Sequence, residues 1–441
     1  MTDETRSPLP PEPIEEIVAH WALLEEGWVP DVRLRLRGGI IETVLRDAPD
    51  PDAVDLLLPG FHNAHAQSFL WSLRGRLQYA DAPEDELPWR NAAMEWARKV
   101  DLSTQETTAS LAYRDMAQCG VVHVAEMLWI HHDRDGEAHS EPAQVARMHV
   151  EAARRAGLHL TLVPTYFGRS DYGQTLDGAD ARFAFAEVDA FLTHVEAIHA
   201  ELAGEPDLSF ALGAHGLDTV DGDALQRLFA FAAQRGWSFH VPVAAFPRDV
   251  ERCVEHTGLS PVAYLHSLGV LQERTTLIHA LHLSPSDQDL LAASGARICA
   301  CPTTERDLGA GLRPTRELWA AGVPMCIGSG ANTIVDPRVE MLLLEAHERL
   351  RLGRRIALVD AARGVRRPSS VVVAWATAGG AAACGRDSGV LAEGKIADVI
   401  ALRAADKVST PAEAWDALDR WLYCAVDVQI DGTWVSGVRR R

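Results

Sequence analysis

The sequence predicts an α/β fold, a parallel (β/α)8 barrel of the TIM type with a small β domain. Eight short apolar runs recur along the middle of the chain, and amphipathic helical segments separate them. Continuous apolar strands that alternate with helices are typical of a parallel barrel, whose strands are buried on both faces. Both ends of the chain show the alternating pattern of short strands, which predicts a separate β domain built from the two ends together.

The eight apolar runs give the predicted barrel strands in chain order. Several of the helical segments between them, such as "QVARMHVEAARRAG" and "SDQDLLAASG", end in glycine, which is a common helix stop. In such a barrel the chemistry lies at the carboxyl ends of the strands, so polar side chains at those ends are the candidates for a site. The predicted strands cover residues 56–65, 120–127, 158–165, 208–215, 237–243, 275–280, 297–301 and 324–329.

The two chain ends complete the predicted domain organisation. Residues 1–17 are acidic and rich in proline, and without a basic start or an apolar centre they are expected to be a disordered leader, not a signal peptide. Residues 18–58, with a Gly-Gly turn at Gly38 and Gly39, and residues 385–441 are expected to form one small β-sandwich domain. Residues 59–384 then form the barrel.

Composition excludes several classes of partner. The chain has 441 residues and a net charge of −20, which disfavours nucleic acid. We find no apolar run long enough to cross a membrane. The seven cysteines are scattered, which favours reduced thiols and a cytoplasmic protein, with Cys299 and Cys301 interpreted as buried apolar residues. A small molecule is the expected substrate, and a homodimer is possible.

The end of the first predicted barrel strand carries the pattern Asn-x-His-x-Gln. Residues two apart in a strand point to the same side, so two histidines at this spacing can hold one metal ion. His65 is present, but Gln67 stands where a second imidazole would complete the pair. The sequence therefore raises the question of whether this site still binds a metal.

Five motifs that follow one another along nearly the whole chain resemble those of the amidohydrolase superfamily. They are similar, within it, to those of the formimidoylglutamate deiminases, which are N-formimino-L-glutamate iminohydrolases. The stretch "AEMLWIHHD" matches a loop specific to that branch. The other four motifs are "LLLPGFHNAHAQSF", "LIHALHLS", "TTERDLGAG" and "GVLAEGKIADVIAL".

The resemblance implies one metal ion held by four side chains, together with a glutamate and a histidine that transfer protons. The glutamate position holds Ala245, whereas the histidine is retained as His279. The four ligand positions are occupied here by His65, Gln67, Pro242 and Gly330.

These replacements predict a protein without a metal or another cofactor. Pro242 and Gly330 have no side-chain donor, and a catalytic zinc ion needs about three protein ligands. One alternative stays open, a metal site rebuilt from His65, His240 and His215. A second candidate cluster, the His-His-Asp run at 131–133, is better interpreted as a structural loop.

The resemblance also implies where a substrate binds. Arg90, in a Trp-Arg pair, matches an arginine that holds a substrate carboxylate, although a surface ion pair is an alternative. Asp218 stands where the relatives have a second arginine, so a cationic group is expected there instead of a carboxylate. Trp129 either stacks on such a cation or simply packs. The predicted substrate-binding residues are Gln67, Arg90, Trp129, His215, Glu126 and Glu305; for both glutamates, positioning of loops is the alternative.

The functional hypothesis is an amidohydrolase-fold enzyme that acts without a metal on a small nitrogenous molecule. His279 is the predicted acid–base residue, because imidazole exchanges protons near neutral pH, and His65 or Asp218 is its partner. Two alternatives remain. One is a metal-dependent iminohydrolase or deaminase with a rebuilt site, and the other is a non-catalytic protein that binds another enzyme.

Overall fold

The computed structural model describes residues 15–76, 88–424 and 428–440, without the side chains of Pro88 and Arg90. Its internal contacts divide the chain into two compact units. One unit consists of Met1–Pro59, Val390–Trp421 and Ala425–Arg441, and the other of Gly60–Gly389 and Leu422–Cys424. Of the predicted leader, residues 1–14 lie outside the described residues, and the first strand begins at Glu15.

The first unit begins with four strands. A tight turn joins β1 to β2, which pair in antiparallel register down to Leu24 opposite Gly27. Gly38 and Gly39 both have positive φ, as a two-residue hairpin turn between β2 and β3 requires, so the predicted Gly-Gly turn is confirmed. The strands are β1 (Glu15–Leu24), β2 (Gly27–Arg37), β3 (Ile40–Leu45) and β4 (Val54–Pro59).

The second unit is the barrel. Its strands pair in parallel in the order of the chain, with β8 and β9 together in the fourth position, where both pair with β7. The ring is closed after the last strand, because the backbone N–H groups of Ser329 and Gly330 donate to the carbonyl of His65. The predicted barrel is thus confirmed. The strands are β5 (Phe61–Ala66), β6 (Val121–Leu128), β7 (His159–Tyr166), β8 (Leu208–Phe210), β9 (Leu212–Ala214), β10 (Phe239–Val243), β11 (Thr275–His279), β12 (Arg297–Ala300) and β13 (Met325–Ile327).

The first apolar run differs from its prediction, because it contains two strands and not one. Residues 56–59 belong to β4 of the first unit, and β5 begins only at Phe61. Gly60 separates the two strands where the backbone packs closely against Val122, since a Cβ at this position would lie 2.4 Å from Val122 Cγ1. The predicted strand 56–65 did not show this break, because only one residue separates β4 from β5 and the residues on both sides of it are buried.

Helices follow the barrel strands and end where the sequence predicts. Helix α3 ends at Gly157 and helix α8 at Gly295, both left-handed, and Ser284 caps the start of α8. Short 3-10 helices cover Ser68–Leu73 and Gly178–Asp180, and a π-helical turn covers Trp375–Gly379. The α-helices are α1 (Pro88–Lys99), α2 (Leu102–Gln118), α3 (Gln144–Ala156), α4 (Val188–Leu202), α5 (Gly222–Gln234), α6 (Pro247–Thr257), α7 (Pro261–Ser267), α8 (Pro285–Ser294), α9 (Pro302–Asp307), α10 (Thr315–Ala320), α11 (Pro337–Leu352), α12 (Pro368–Ala374) and α13 (Gly380–Ala383).

The C-terminal segment returns to the sheet of the first unit. Its elements are β14 (Val399–Arg403), α14 (Pro411–Cys424), β15 (Gln429–Val435) and β16 (Val438–Arg439). Within the described residues the sheet has seven strands in the order β16-β15-β14-β4-β1-β2-β3. Strands from both chain ends therefore share one sheet, as predicted, and their apolar side chains pack in one common core.

Small and sulfur-containing side chains fill the interior of the barrel. Ala64, Ala125 and Ile278 pack there with four cysteines, at positions 299, 301, 326 and 384. Cys299 and Cys301 are fully buried in this cluster, as expected for apolar residues in a core. Among the described residues, no helix has the length and apolarity that a membrane span requires.

Candidate functional site

A cavity of about 330 Å³ lies among the segments that follow the barrel strands. Its walls come from the ends of β5, β6, β9, β10, β11, β12 and β13, so it occupies the catalytic face of the fold. Six of the nine residues that the sequence proposed for the site line this cavity: His65, Gln67, Trp129, His215, Asp218 and His279.

The other three proposed residues have different positions. Glu126 and Glu305 are buried and are not part of the cavity wall. The side chain of Arg90 lies outside the described part of the chain, and its neighbour Trp89 lines the cavity. A direct substrate contact for the two glutamates is therefore not supported by their positions.

Glu126 stabilises the loop after β5. Its Oε1 accepts hydrogen bonds from the backbone N–H of Ser68 at 2.7 Å and from the Ser68 hydroxyl at 2.8 Å. Burial raises the pKa of Glu126 to about 8, although the bonds from Ser68 act in the opposite direction. The carboxyl group fixes the start of the 3-10 helix at Ser68, which agrees with the positioning role left open from the sequence.

The raised pKa of Glu126 predicts a pH-dependent difference between the protein and its Glu126→Gln variant. A carboxyl group whose pKa is higher in the folded protein than in the unfolded chain makes its full contribution to stability below the unfolded pKa, near 4.5. This contribution is lost as the pH rises towards the folded pKa of about 8. The neutral amide does not titrate. The stability of Glu126→Gln relative to wild type should therefore increase between pH 5 and pH 8 in chemical denaturation, and a constant difference over this range would contradict the raised pKa.

His279 is held by a buried ion pair. Its Nδ1 donates to Glu305 Oε1 at 3.3 Å, because an ionised carboxylate can only accept. The same oxygen accepts from Arg313 at 2.6 Å and from the backbone N–H of Cys301 at 3.0 Å. Burial alone would raise the pKa of Glu305, but Arg313 and His279 lower it to about 2, so the carboxylate stays charged.

Arg313 also fixes the backbone of His279. Both His279 and Ala280 have left-handed φ angles, 74° and 46°, which are unfavourable for residues with a Cβ. The Nε of Arg313 donates to the carbonyl of His279 at 2.8 Å. One guanidinium therefore secures both the strained peptide and the carboxylate that orients the imidazole. Arg313 could not be predicted from the sequence, since its separation of 34 residues from His279 carries no periodic signal.

Gln67 links two rings of the cavity wall. Its Oε1 accepts from the indole N–H of Trp129 at 2.9 Å, and its Nε2 lies 3.5 Å from Nε2 of His65. Burial, with smaller effects of His279 and His240, lowers the pKa of His65 well below its usual value. His65 is therefore an uncharged imidazole at neutral pH.

Trp129 is packed against other aromatic rings. Its ring centroid lies 5.3 Å from Phe69, 4.9 Å from Phe183 and 4.8 Å from His215, and only 4% of the residue is exposed. The structure therefore favours the packing role of Trp129 over stacking on a planar cation.

His215 and Asp218 lie in one loop after β9. Nδ1 of His215 is 3.2 Å from the Thr219 hydroxyl. Arg169 donates to the backbone carbonyls of Leu217 and Asp218, at 2.9 and 2.8 Å, and thereby fixes the path of the loop. The loop brings an imidazole and a carboxylate to the same wall of the cavity.

The residues at the implied ligand positions do not fit a metal ion. Pro242 and Gly330 line the cavity without a side-chain donor, and the only oxygen of the Gln67 side chain already accepts from Trp129. At Gly330 a Cβ would lie 2.6 Å from the Thr304 hydroxyl. That hydroxyl is itself held by Ser329 and Ala331, so an aspartate at position 330 has no room.

The alternative metal clusters do not form either. Nε2 of His240 lies 3.1 Å from the carbonyl of Ala383, and His240 is not part of the cavity wall. Nε2 of His131 lies 2.9 Å from the carbonyl of Thr165. Within the described ranges no group of three or more histidine, cysteine, aspartate or glutamate residues is placed to hold a metal ion.

The contact at Gly330 leads to a stability prediction. Gly330→Ala should be destabilised by about 1–2 kcal/mol from its φ of 55°, and by about 1–3 kcal/mol more from overpacking against Thr304. Gly353 is a matched control, because its φ is 61° and nothing lies within 4 Å of its added Cβ. Denaturant unfolding of both variants measures the difference; equal losses would contradict the close contact.

The chain belongs to the amidohydrolase family, whose model matches residues 56–440. This assignment agrees with the barrel, the second sheet and the cavity at the strand ends. The family fold carries hydrolytic enzymes that act on C–N bonds, so the coarser part of the functional hypothesis is supported.

Individual relatives give the same assignment. Formimidoylglutamate deiminase of Pseudomonas aeruginosa is 30% identical over 430 residues, which cover 96% of this chain and 93% of that protein. An amidohydrolase from Brucella melitensis superposes with a TM-score of 0.89 at 27% identity, covering 96% of this chain and 94% of that one. An adenosine deaminase from Xanthomonas campestris with bound zinc has a TM-score of 0.76 at 21% identity, over 98% of this chain and 94% of that one, a likeness of fold alone.

Proposed function

We propose that this protein is an amidohydrolase-family enzyme that acts on C–N bonds of a small nitrogenous molecule by acid–base chemistry, without a bound metal. One observation carries the proposal. Of the four positions that hold a metal in the family pattern, Pro242 and Gly330 have no side-chain donor and the oxygen of Gln67 is engaged by Trp129, whereas His279 is kept and is oriented by the buried pair of Glu305 and Arg313.

His279 is suited to move a proton at the cavity wall. Because Nδ1 is engaged by Glu305, the opposite nitrogen, Nε2, is the one that can exchange a proton with a ligand. In hydrolysis of a protonated C=N group, Nε2 takes a proton from water as the water oxygen bonds to carbon and the C=N π electrons move to nitrogen, which gives a tetrahedral amino alcohol. Nε2 then gives this proton to the amino nitrogen, and the C–N bond breaks with its electrons on nitrogen. The hydroxyl forms the carbonyl and loses its proton to the departing ammonia, so the products are a carbonyl compound and ammonium and the imidazole is unchanged. Asp218 and His215 would orient the substrate.

The substrate is proposed to carry a cationic nitrogen. Asp218 favours an ammonium, amidine or guanidinium group and repels a second carboxylate. Leu70, Trp89 and Met94 make the adjoining cavity wall apolar. We further propose that the enzyme works in the cytoplasm, consistent with the buried free thiols of Cys253 and Cys384, and that it forms a homodimer.

Ammonia release provides the test of this function. N-formimino-L-glutamate is expected to give negligible turnover, because Asp218 replaces the arginine that the resemblance implies for its second carboxylate. A screen of amines, amidines and imines should identify a substrate whose turnover survives chelator treatment. Turnover of N-formimino-L-glutamate at about 1 s⁻¹ or faster, an ordinary enzyme rate, would refute the proposed substrate class. Loss of activity on chelation would refute the metal-free chemistry.

A further inference from the structure

An amide lies between two rings in the cavity wall. The indole Nε1 of Trp129 is 2.9 Å from Gln67 Oε1, and Gln67 Nε2 is 3.5 Å from His65 Nε2. Trp129 and His65 are only 4% and 2% exposed, so neither ring can exchange these contacts freely for bulk water. The hydrogen-bonding chemistry of these three side chains therefore determines which atom donates and which accepts in each contact.

The indole determines the direction of the amide. An indole N–H is only a donor, so Trp129 must face the carbonyl oxygen of Gln67 and not its NH2 group. The NH2 group is then turned towards His65 Nε2. Two N–H groups cannot face each other without the loss of a hydrogen bond, so Nε2 of His65 must be the unprotonated nitrogen, with the proton on Nδ1.

Trp129 and the backbone of Gln67 are both held in place. Trp129 is enclosed by Phe69, Phe183 and His215, with ring centroids 4.8–5.3 Å away. The backbone N–H of Gln67 donates to the carbonyl of Gly330 at 3.2 Å, at the seam that closes the barrel. If the Gln67 amide were reversed, its NH2 group would face the indole N–H, and neither Trp129 nor the Gln67 backbone could move away to relieve this contact.

We propose that Gln67 is a positioning residue that, with Trp129, holds His65 as the neutral Nδ1–H tautomer. The Nε2 lone pair of His65 then accepts an N–H, and a metal ion would have to displace the Gln67 amide to reach it. His65 and His279, two of the histidines that line the cavity, have separate roles. His65 is a fixed acceptor, and His279 exchanges protons. The division of roles rests on the proposed function, but the tautomer does not.

Nitrogen NMR of the full-length protein tests the tautomer directly. Protein labelled with 15N-histidine and treated with EDTA gives two-bond proton–nitrogen correlations that distinguish Nδ1–H, Nε2–H and doubly protonated rings. The His65 signals are assigned by their loss in His65→Phe. Wild type should show one neutral Nδ1–H ring for His65. His149, whose Nδ1 lies 3.0 Å from the buried Tyr113 hydroxyl, is a remote control whose signals should stay unchanged in all variants.

Two variants test the cause. Gln67→Glu places a carboxylate opposite Nε2 and should put a proton there, as the other neutral tautomer or as an imidazolium. Trp129→Phe removes the indole donor and should give a mixture of tautomers, because the amide is then free to reverse. A wild-type His65 protonated at Nε2 would overturn the inference, as would an unprotonated Nε2 in Gln67→Glu or a single unchanged tautomer in Trp129→Phe.

The NMR experiment distinguishes failure of the tautomer proposal from failure of the proposed function. A metal on Nε2 would also leave the proton on Nδ1, so spectra are compared before and after EDTA. A change of the His65 signals on chelation would overturn both the proposal that Gln67 holds the His65 tautomer and the proposal of metal-free chemistry. An unchanged Nδ1–H ring in a protein that turns over no tested substrate would leave the tautomer proposal intact and count only against the proposed function.

Discussion

Replacement of Arg313 by leucine is expected to lower the free energy of unfolding by about 3–5 kcal/mol, the usual cost of removing one partner of a buried ion pair. The side chains of Arg313 and Glu305 are 2% and 4% exposed, so little water can replace the guanidinium. The variant leaves the buried carboxylate with only the His279 imidazole and the backbone N–H of Cys301 as partners, without a compensating cation, and it releases the strained carbonyl of His279.

Chemical denaturation at neutral pH measures this loss, with two matched comparisons. Arg313→Leu combined with Glu305→Leu should recover much of the stability, because removing both charges avoids an uncompensated one. Arg306→Leu, in helix α9 seven residues earlier but 43% exposed and paired with Asp307, should cost no more than about 1 kcal/mol. If Arg313→Leu cost no more than Arg306→Leu, the buried pair would have no supporting role.

His279→Asn is expected to reduce turnover by about 10²–10⁴-fold, the range typical of loss of a general acid or base. Asparagine keeps a polar side chain of similar reach but has no group that exchanges a proton near neutral pH. Binding of the substrate should change much less, because the proposed contact to its cationic nitrogen comes from Asp218.

The assay needs a substrate, which thermal-shift screening of zwitterionic amines and amidines is designed to find. Asp218→Asn is the comparison variant, and it should mainly raise KM. If His279→Asn kept full turnover while Asp218→Asn abolished it, the carboxylate would be the base and the two roles would be reversed.

The sequence was informative where side chains follow the ends of regular strands. His65, His279 and Asp218 could be placed at one edge because a parallel barrel brings all its strand ends to the same face. The chain-end strands could be assigned to one β domain from their alternation. The break at Gly60 within the predicted strand 56–65 could not, since a single residue separates β4 from β5.

Residues that act through tertiary contacts were beyond prediction. Arg313 reaches His279 by a loop whose course has no sequence signature, and Glu126 could not be separated from a substrate ligand until its bond to Ser68 was seen. Gln67 was recognised as a departure from a metal pair, but its partner Trp129 lies 62 residues away. Its hydrogen bonds, and not its position in the motif, define its role.

Elemental analysis of the purified protein tests whether the enzyme holds a metal. The protein is prepared without chelator, dialysed, and measured for zinc, iron, manganese, cobalt and nickel per chain. We expect far less than one metal ion per chain, because Gln67, Pro242 and Gly330 offer no site for one. One ion per chain that resists dialysis would contradict the metal-free chemistry and would support a rebuilt metal site.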